Sequence, residues 1–272
     1  MKVGENMQKI KVVSTDLDGT LLTYQKKILP ETEKALFECK KNGILVIINT
    51  GRTLEGIKTV FPHFAIADYM IINNGGAIYD VEKQTFLYKK LLPYSLVKEI
   101  YEEFEKDCSF FDICTINHYY SNQEIIKKAP HISTFVSIES LEKEDICSIS
   151  MTPLKKEQAS FLQEKIEEKY PNIDVLYMKD SFQDKIWLQI VPKKINKKET
   201  YLKLLSMLHI DKKDTVFFGD GLNDICVMEV VGYGVAVGNA LPEVKEKASY
   251  QTGSYEENGV GEWIQEHQDL LI

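Results

Sequence analysis

The sequence predicts an α/β fold, in which a parallel sheet has helices on both faces, with a second, inserted α+β domain. In the first 80 residues and again after residue 196, apolar runs alternate with segments that carry helical end signals. Between residues 90 and 185 the strands instead mostly alternate apolar and polar side chains, as in an antiparallel sheet with one wet face. The predicted α/β domain comprises 1–85 and 187–272, and the predicted insertion is 86–186.

The first part of the α/β domain begins with IKVVST (10–15), an uninterrupted apolar run that fits a strand covered on both faces. PETEKALFECKKNG (30–43) predicts a helix with both ends marked, because proline and acids open it and lysines and glycine close it. The other predicted elements here are a strand at 44–50, a helix around 53–61 and a strand at 69–73, which ends in the turn signal NNGGA.

The remaining elements follow from the same rules. In the last part of the α/β domain they are a helix at 197–208, a strand at 215–220, a helix at 223–230, a strand at 233–238 and a helix at 242–248. In the insertion they are helices at 94–107 and 156–170 and strands at 109–116, 145–151, 174–178 and 184–191.

Polar residues stand at the ends of four predicted strands. They are Asp16 and Asp18; Thr50, Gly51 and Arg52; Asn73 and Asn74; and Gly219, Asp220, Asn223 and Asp224. Because ligands bind beyond the carboxyl ends of strands in open α/β sheets, these residues should gather at one edge. Acidic side chains there form an oxygen-rich site for a hard cation such as Mg2+. Without such a cation, Asp16 and Asp18 would place two like charges on one side of a strand, which is unfavourable.

Composition and charge disfavour several other functions. The net charge of −8 argues against a nucleic-acid partner, and the longest apolar run, ILVII (44–48), is too short to span a membrane. The five cysteines form no CxxC pair, which favours reduced thiols over a disulfide framework or a zinc site. We therefore expect a cytoplasmic protein with no nucleic-acid or membrane partner, and a monomer or weak homo-oligomer.

Four motifs occur in a fixed order: DLDGTLL (16–22), NTGR (49–52), a lysine-rich segment near 197 and GDGLND (219–224). With them the chain resembles the haloacid dehalogenase (HAD) superfamily, and within it the Cof-type sugar-phosphate phosphatases. NNGGA, VAVGNA and NGVGEWI are also typical of that group. The resemblance implies a Rossmann-like parallel-sheet core, an inserted α+β cap domain between the second and third motifs, and a Mg2+-dependent phosphatase.

The resemblance also implies roles for individual residues. Asp16 is expected to be the nucleophile that forms an aspartyl phosphate, and Asp18 the general acid and then the general base. Mg2+ would be held by the side chain of Asp16, the backbone carbonyl of Asp18 and the side chain of Asp220. Asp224 would support the site by orienting metal-bound water or a neighbouring lysine.

The expected phosphate-binding groups are the N–H of Leu17, the Thr50 hydroxyl, the Gly51 N–H, the Lys197 ammonium and the Asn223 amide. Lys194, Lys197 and Lys198 all lie in the third motif, and Lys197 is the predicted functional lysine, with Lys198 as the alternative. Asn196 is expected to cap the helix that Lys197 opens.

The predicted function is hydrolysis of small phosphorylated metabolites. Sugar phosphates are the first expectation, with pyridoxal phosphate and flavin mononucleotide as further possibilities, and residues 90–185 are expected to determine the choice. One alternative is a phosphomutase that uses the same aspartyl phosphate. Another is a non-enzymatic phosphorylation-dependent switch, which also uses clustered Asp, Mg2+, Thr and Lys.

Overall fold

The computed structural model describes residues 9–61, 64–122, 132–134, 137–153, 155–179 and 186–271, the side chains of 132–134 and 179 excepted. Within the described residues the chain forms two compact packing units. The first comprises Met1–Thr50, His63–Leu87 and Asn196–Ile272, and the second comprises Gly51–Pro62 and Tyr88–Ile195.

The strands are β1 (Val12–Thr15), β2 (Leu45–Asn49), β3 (Tyr69–Ile72), β4 (Ala77–Asp80), β5 (Thr85–Lys89), β6 (Cys108–Thr115), β7 (Tyr119–Ser121), β8 (Ile132–Thr134), β9 (Ile146–Pro153), β10 (Ile173–Lys179), β11 (Ile186–Pro192), β12 (Thr215–Gly219), β13 (Tyr233–Ala236) and β14 (Tyr250–Gln251). The α-helices are α1 (Pro30–Lys41), α2 (Leu54–Lys58), α3 (Tyr94–Phe104), α4 (Ala159–Lys169), α5 (Lys197–Met207), α6 (Leu222–Met228), α7 (Pro242–Lys247), α8 (Gly259–Glu266) and α9 (Gln268–Leu271). Short 3-10 turns cover 73–75, 105–107, 138–141, 156–158, 212–214 and 255–257.

An eight-stranded sheet has the order β14-β13-β12-β1-β2-β3-β4-β5. β1 lies between β12 and β2 and is parallel to both, with Val12 opposite Thr215 on one side and Leu45 on the other. β3 and β4 are antiparallel. The order reverses at β1, which is where an open α/β sheet leaves a crevice for ligands. The predicted α/β class, with a mainly parallel sheet, is confirmed.

Local sequence explains why these elements form where they do. Val12 and Val13 of β1 have no exposed surface, as expected for a central strand covered on both faces. Pro30 is the first residue of α1, and Gly43 follows the helix with φ +79°, a conformation that glycine adopts without strain.

A six-stranded sheet has the order β10-β11-β9-β6-β7-β8 and is antiparallel except between β7 and β8. Phe111, Ile149 and Leu188 belong to a buried apolar cluster on one face, together with residues of α3 and α4. Since neighbours along a strand point to opposite faces, the other face carries polar residues, which lie opposite one another in register and are buried. These are Asp112, Ser150 and Gln189.

Most predicted elements are present with boundaries shifted by one to three residues, but the predicted helix at 156–170 starts as a 3-10 turn and continues as α4. The sequence analysis missed β4, β5, β7, β8, β14, α8 and α9. The first residues of the predicted strand 184–191 lie outside the described residues, and the rest form β11. That strand pairs with β9 and β10, and the predicted boundary between 186 and 187 falls at its start. The limits of the core and cap domains stay a prediction.

None of the α-helices in the described ranges is both long and apolar enough to cross a membrane. The five cysteines are reduced thiols, four of them buried and Cys226 partly buried.

Candidate active site

Asp16 lies directly beyond β1, at the centre of the eight-stranded sheet. Its backbone N–H donates to the carbonyl of Phe218 in β12 at 2.9 Å, so the ladder continues one residue past the strand. The chain then turns, because the N–H groups of Leu21 and Leu22 both return to the carbonyl of Leu17. The Asp16 side chain is thereby left at the carboxyl end of the sheet, although its residue is only 8% exposed.

Gly19 allows this turn for two reasons. Its φ is +78°, which confirms that the bend needs a left-handed backbone. A Cβ atom at this position would also lie 2.4 Å from Oδ2 of Asp220. Glycine is therefore required both by the backbone and by the carboxylate that lies against it.

Asp220 lies in the loop between β12 and α6, and Asp224 lies in the first turn of α6. Oδ2 of Asp224 accepts the backbone N–H groups of Asp220 at 3.1 Å and of Gly221 at 2.9 Å, which caps the helix. Oδ1 of Asp220 accepts the hydroxyl of Thr20 at 2.7 Å. Asp224 has no exposed surface. Asp224 is thus held by the backbone of the loop, and Asp220 by the turn after β1.

Lys197 is the first residue of α5 and is 1% exposed. Its Nζ lies 2.7 Å from Oδ1 of Asp224 and 3.0 Å from Oδ1 of Asp16. Asn196 caps the helix, as predicted, by accepting the N–H of Glu199 at 2.9 Å. The alternative Lys198 instead has a side chain that is 33% exposed, and it pairs with Glu199 at 3.4 Å. Lys197 is therefore the lysine that contacts the carboxylates.

The site contains more negative than positive charge. Oxygen atoms of Asp16, Asp220 and Asp224 all lie within 4.8 Å of one another, and one ammonium, that of Lys197, contacts two of these carboxylates. Burial and the neighbouring acids raise the pKa of Asp16 well above its usual value, although Lys197 opposes the shift. Burial and Asp224 raise the pKa of Asp220 to about 6.

A hard divalent cation fits this set of donors, because all the ligand atoms are carboxylate oxygens. Both oxygens of Asp224 already accept hydrogen bonds, one from Lys197 and one from two backbone N–H groups. Asp16 and Asp220 therefore remain as the carboxylates best placed to hold a metal, with Asp224 as their support. The roles predicted for these three residues are compatible with this geometry.

The Lys197 ammonium keeps its proton although it is buried. Burial alone would lower its pKa, but Asp16 and Asp224 together outweigh that effect and raise the pKa above the usual value. The positive charge of Lys197 is thus kept beside both carboxylates.

Asp18 is the more exposed of the two acidic residues in the first motif, with a side chain that is 36% exposed. Its Oδ1 accepts from Nζ of Lys26 at 2.7 Å, a contact that the sequence analysis did not predict. The cluster of three carboxylates does not include Asp18. An acid that is open to solvent can exchange protons readily, whereas its predicted backbone contact with a metal stays a prediction.

Asn74 forms hydrogen bonds with both Thr50 and Asn223. The N–H of Thr50 donates to Ile71 of β3, and its carbonyl accepts the N–H of Asn74 at 3.0 Å. Asn74 also accepts, through Oδ1, the side-chain N–H of Asn223 at 3.1 Å. Gly51 is the first residue of the second packing unit, so its predicted role stays a prediction.

Comparison with known proteins agrees with this site. A family model for haloacid dehalogenase-like hydrolases matches residues 13–264, from β1 to α8. The chain belongs to this family. The recognition of the HAD superfamily and its Cof-type group is confirmed, as is the predicted class of enzyme, a phosphoric monoester hydrolase.

Relatives match along nearly the whole chain. The 5-amino-6-(5-phospho-D-ribitylamino)uracil phosphatase YcsE of Bacillus subtilis is 28% identical over 265 residues, which cover 97% of this chain and 98% of YcsE. The phosphatase YwpJ of the same organism is 25% identical over 280 residues, with 92% and 97% covered. A solved haloacid dehalogenase-like hydrolase from Bacteroides thetaiotaomicron has the same fold, with a TM-score of 0.81 at 23% identity and 95% and 100% covered.

Proposed function

We propose that the chain is a Mg2+-dependent phosphohydrolase of small phosphorylated metabolites that works through an aspartyl phosphate on Asp16. One observation carries the proposal: a buried carboxylate at the end of the central strand contacts a buried lysine and lies in a cluster with excess negative charge. Such a carboxylate is costly for the fold, so a functional reason for keeping it is expected.

Asp16 and Asp220 are the residues that would hold Mg2+. When bound, the ion would offset the repulsion between the attacking carboxylate and the phosphate dianion. The predicted contribution of the Asp18 carbonyl belongs to the same proposal. Asp224 fixes the ammonium of Lys197 at 2.7 Å, and Lys197 in turn stands 3.0 Å from Asp16, so the nucleophile keeps one orientation.

The first step breaks the ester. The Asp16 carboxylate attacks phosphorus, the bond from phosphorus to the leaving oxygen breaks, and Asp18 donates a proton to that oxygen. In the second step Asp18 removes a proton from water, the water oxygen attacks phosphorus, and the bond from phosphorus to the Asp16 oxygen breaks, which releases inorganic phosphate and restores the Asp16 carboxylate. The solvent exposure of Asp18 supports its role in moving protons.

Donors around the phosphate complete the proposed site. The Thr50 hydroxyl, the Asn223 amide, the N–H groups of Leu17 and Gly51, and Lys197 would bind the phosphate oxygens. Donors that are fixed before the reaction stabilise charge that develops in the transition state, because they need no rearrangement. Thr50 is 1% exposed, and hydrogen bonds hold its backbone on both sides, which supports such a fixed position.

Small phosphorylated metabolites are the proposed substrates, with sugar phosphates first. Relatives at 28%, 27% and 23% identity, namely YcsE, YwtE and YitU of Bacillus subtilis, are named as phosphatases of a phosphorylated ribitylamino-uracil. Their substrate joins a phosphorylated polyol to a ring, which supports a small hydroxylated phosphate ester for this chain. A cytoplasmic location and a monomer or weak homo-oligomer belong to the same proposal.

The test is a phosphate-release screen over phosphorylated metabolites and p-nitrophenyl phosphate, with Mg2+ or with EDTA. We expect turnover of at least one ester with Mg2+ and none with EDTA. Release that continues in EDTA would contradict the metal dependence, and no turnover of any ester would contradict the proposal as a whole. Transfer to a second position of the sugar without free phosphate would establish the phosphomutase alternative instead.

A further inference from the structure

The turn after β3 has a backbone that needs an explanation. Asn73, Asn74 and Gly75 follow one another with φ values of +51°, +52° and +105°. Left-handed backbone is uncommon in residues other than glycine, although asparagine tolerates it better than most. Two such residues in succession are held only where their surroundings determine the conformation, and this often occurs at functional sites.

The turn contacts three of the four sequence motifs. The N–H of Asn74 donates to the carbonyl of Thr50 in the second motif at 3.0 Å, and its side chain accepts from Asn223 in the fourth. The carbonyl of Gly75 accepts the hydroxyl of Thr200 in α5 at 2.7 Å. A Cβ atom on Gly75 would lie 2.4 Å from the carbonyl of Asn196, which caps that helix. The turn thus packs tightly between the elements that carry the site.

The contact between Asn74 and Asn223 determines the orientation of the Asn223 side-chain amide. Nδ2 of Asn223 lies 3.1 Å from Oδ1 of Asn74, whereas Oδ1 of Asn223 lies on the side of Gly221. An amide has two N–H groups at one end and only acceptors at the other. One N–H of the Asn223 amide donates to Asn74. The second N–H is on the same nitrogen, so the contact with Asn74 also holds it in place.

We propose that Asn74 is a positioning residue of the phosphate site, which keeps the Asn223 amide turned so that it donates to a phosphate oxygen. The inference rests on the proposed function, since it assigns Asn223 a phosphate contact. Without the Asn74 acceptor the Asn223 amide can rotate by half a turn. It would then present a carbonyl oxygen to the negative phosphate, which is repulsive instead of attractive.

The first test compares two substitutions to glycine at the same backbone conformation. Asn74→Gly keeps the left-handed turn and removes the side chain that carries the acceptor, and we expect kcat/KM to fall about tenfold, the loss that one hydrogen bond to a charged group produces. Gln84 has φ +51° in the exposed turn between β4 and β5, so Gln84→Gly is the matched control and should keep the activity of the parent protein. An Asn74→Gly protein with unchanged kinetics would overturn the proposal.

A double-mutant cycle separates positioning from a general structural effect. If Asn74 acts through Asn223, then Asn74→Gly should have no further effect in an Asn223→Ala background. Losses that simply multiply in the double variant would overturn the proposal, because they would show that Asn74 acts independently of Asn223. The Mg2+ concentration for half-maximal activity should be the same in all four proteins.

A binding measurement makes the test independent of turnover. Titration of inorganic phosphate into the Mg2+-loaded proteins should show about a tenfold weaker Kd for Asn74→Gly and for Asn223→Ala, and no further loss in the double variant. If no ester is hydrolysed, the proposed function fails while this titration still decides the role of Asn74. Equal phosphate affinity in the parent protein and Asn74→Gly would overturn it.

Discussion

Asp224 and Asp112 are both buried carboxyl groups, and their surroundings compensate the buried charge in different ways. Asp224, beside the eight-stranded sheet, accepts from the Lys197 ammonium and from two backbone N–H groups. Asp112, in the six-stranded sheet, accepts a hydroxyl from Tyr119 at 2.8 Å, and no lysine or arginine among the described residues forms an ion pair with it. Asp224 is thus paired with a cation, whereas burial raises the pKa of Asp112 despite the opposing effects of Ser121 and Tyr119.

The difference shows which region needs an external cation. Asp112 can relieve its desolvation by taking up a proton. Asp16 and Asp220 share their surroundings with Asp224, and among the described residues Lys197 is the lysine that contacts the group. Their raised pKa values show that the ionised cluster is unfavourable by itself. Unfavourable electrostatics that persist at the end of a central strand indicate a site selected for function and not for stability.

The largest effect is expected from substitution of Lys197, the cation that contacts Asp16 and Asp224. Lys197→Met would leave Asp224 buried without its cation, so we expect the free energy of unfolding to fall by about 3–5 kcal/mol. Phosphate release should fall by about a hundredfold or more, because a fixed positive group beside the nucleophile is lost. Lys198→Met is the matched control at the neighbouring, partly exposed position, and chemical denaturation and phosphate release measure both variants. Equal losses in the two variants would contradict the assignment of Lys197.

A smaller effect is expected from two glycines with the same backbone conformation, Gly19 with φ +78° and Gly43 with φ +79°. An alanine in left-handed backbone costs about 1–2 kcal/mol, so both Gly→Ala variants should lose stability. No atom lies within 4 Å of a Cβ on Gly43, whereas a Cβ on Gly19 would lie 2.4 Å from Asp220.

Only Gly19→Ala should therefore displace Asp220, weaken the response to Mg2+ and lower activity. Thermal unfolding with Mg2+ or EDTA, together with phosphate release, tests this comparison. A Gly43→Ala protein that loses as much activity as Gly19→Ala would show that strain alone, and not the displaced carboxylate, is responsible.

The smallest effect is expected at Asp112 and concerns pH. Because the pKa of Asp112 is raised in the folded state, the folded protein binds a proton that the unfolded chain has already released as pH rises above 3.8. The free energy of unfolding should therefore decrease as pH rises from there towards the pKa of the folded state. Asp112→Asn removes this contribution, and denaturant unfolding at several pH values should show a flatter profile. Parallel profiles for the two proteins would show that Asp112 is not protonated on folding.

Local signals in the sequence predict much of the fold and the site. Apolar runs locate β1 and β12, and the rule that ligands bind at the carboxyl ends of strands is enough to bring Asp16 and Asp220 together. The choice of Lys197 comes from the resemblance to the family, and the cap by Asn196 is consistent with it because it places Lys197 at the start of α5. These predictions succeed because each depends on a few consecutive residues.

Contacts between distant segments could not be predicted in this way. Thr20 bonds to Asp220 across 200 residues of sequence, and Asn223 bonds to Asn74 across 149. No periodicity or spacing specifies such a pair, because it depends on how the loops meet at the sheet edge. The missed helix α8 has a related cause, since it begins after the left-handed Asn258 and contains two glycines, which are signals of a turn.

The central claim is that the buried carboxylate of Asp16, in a cluster with excess negative charge, serves nucleophilic attack on phosphorus. The most direct measurement is phosphate release by Asp16→Asn with Mg2+, on the ester that the parent protein hydrolyses fastest. The amide keeps the size of the carboxylate and removes its charge and nucleophilicity, so we expect a loss of at least about ten-thousandfold. Release within tenfold of the parent protein would contradict the account.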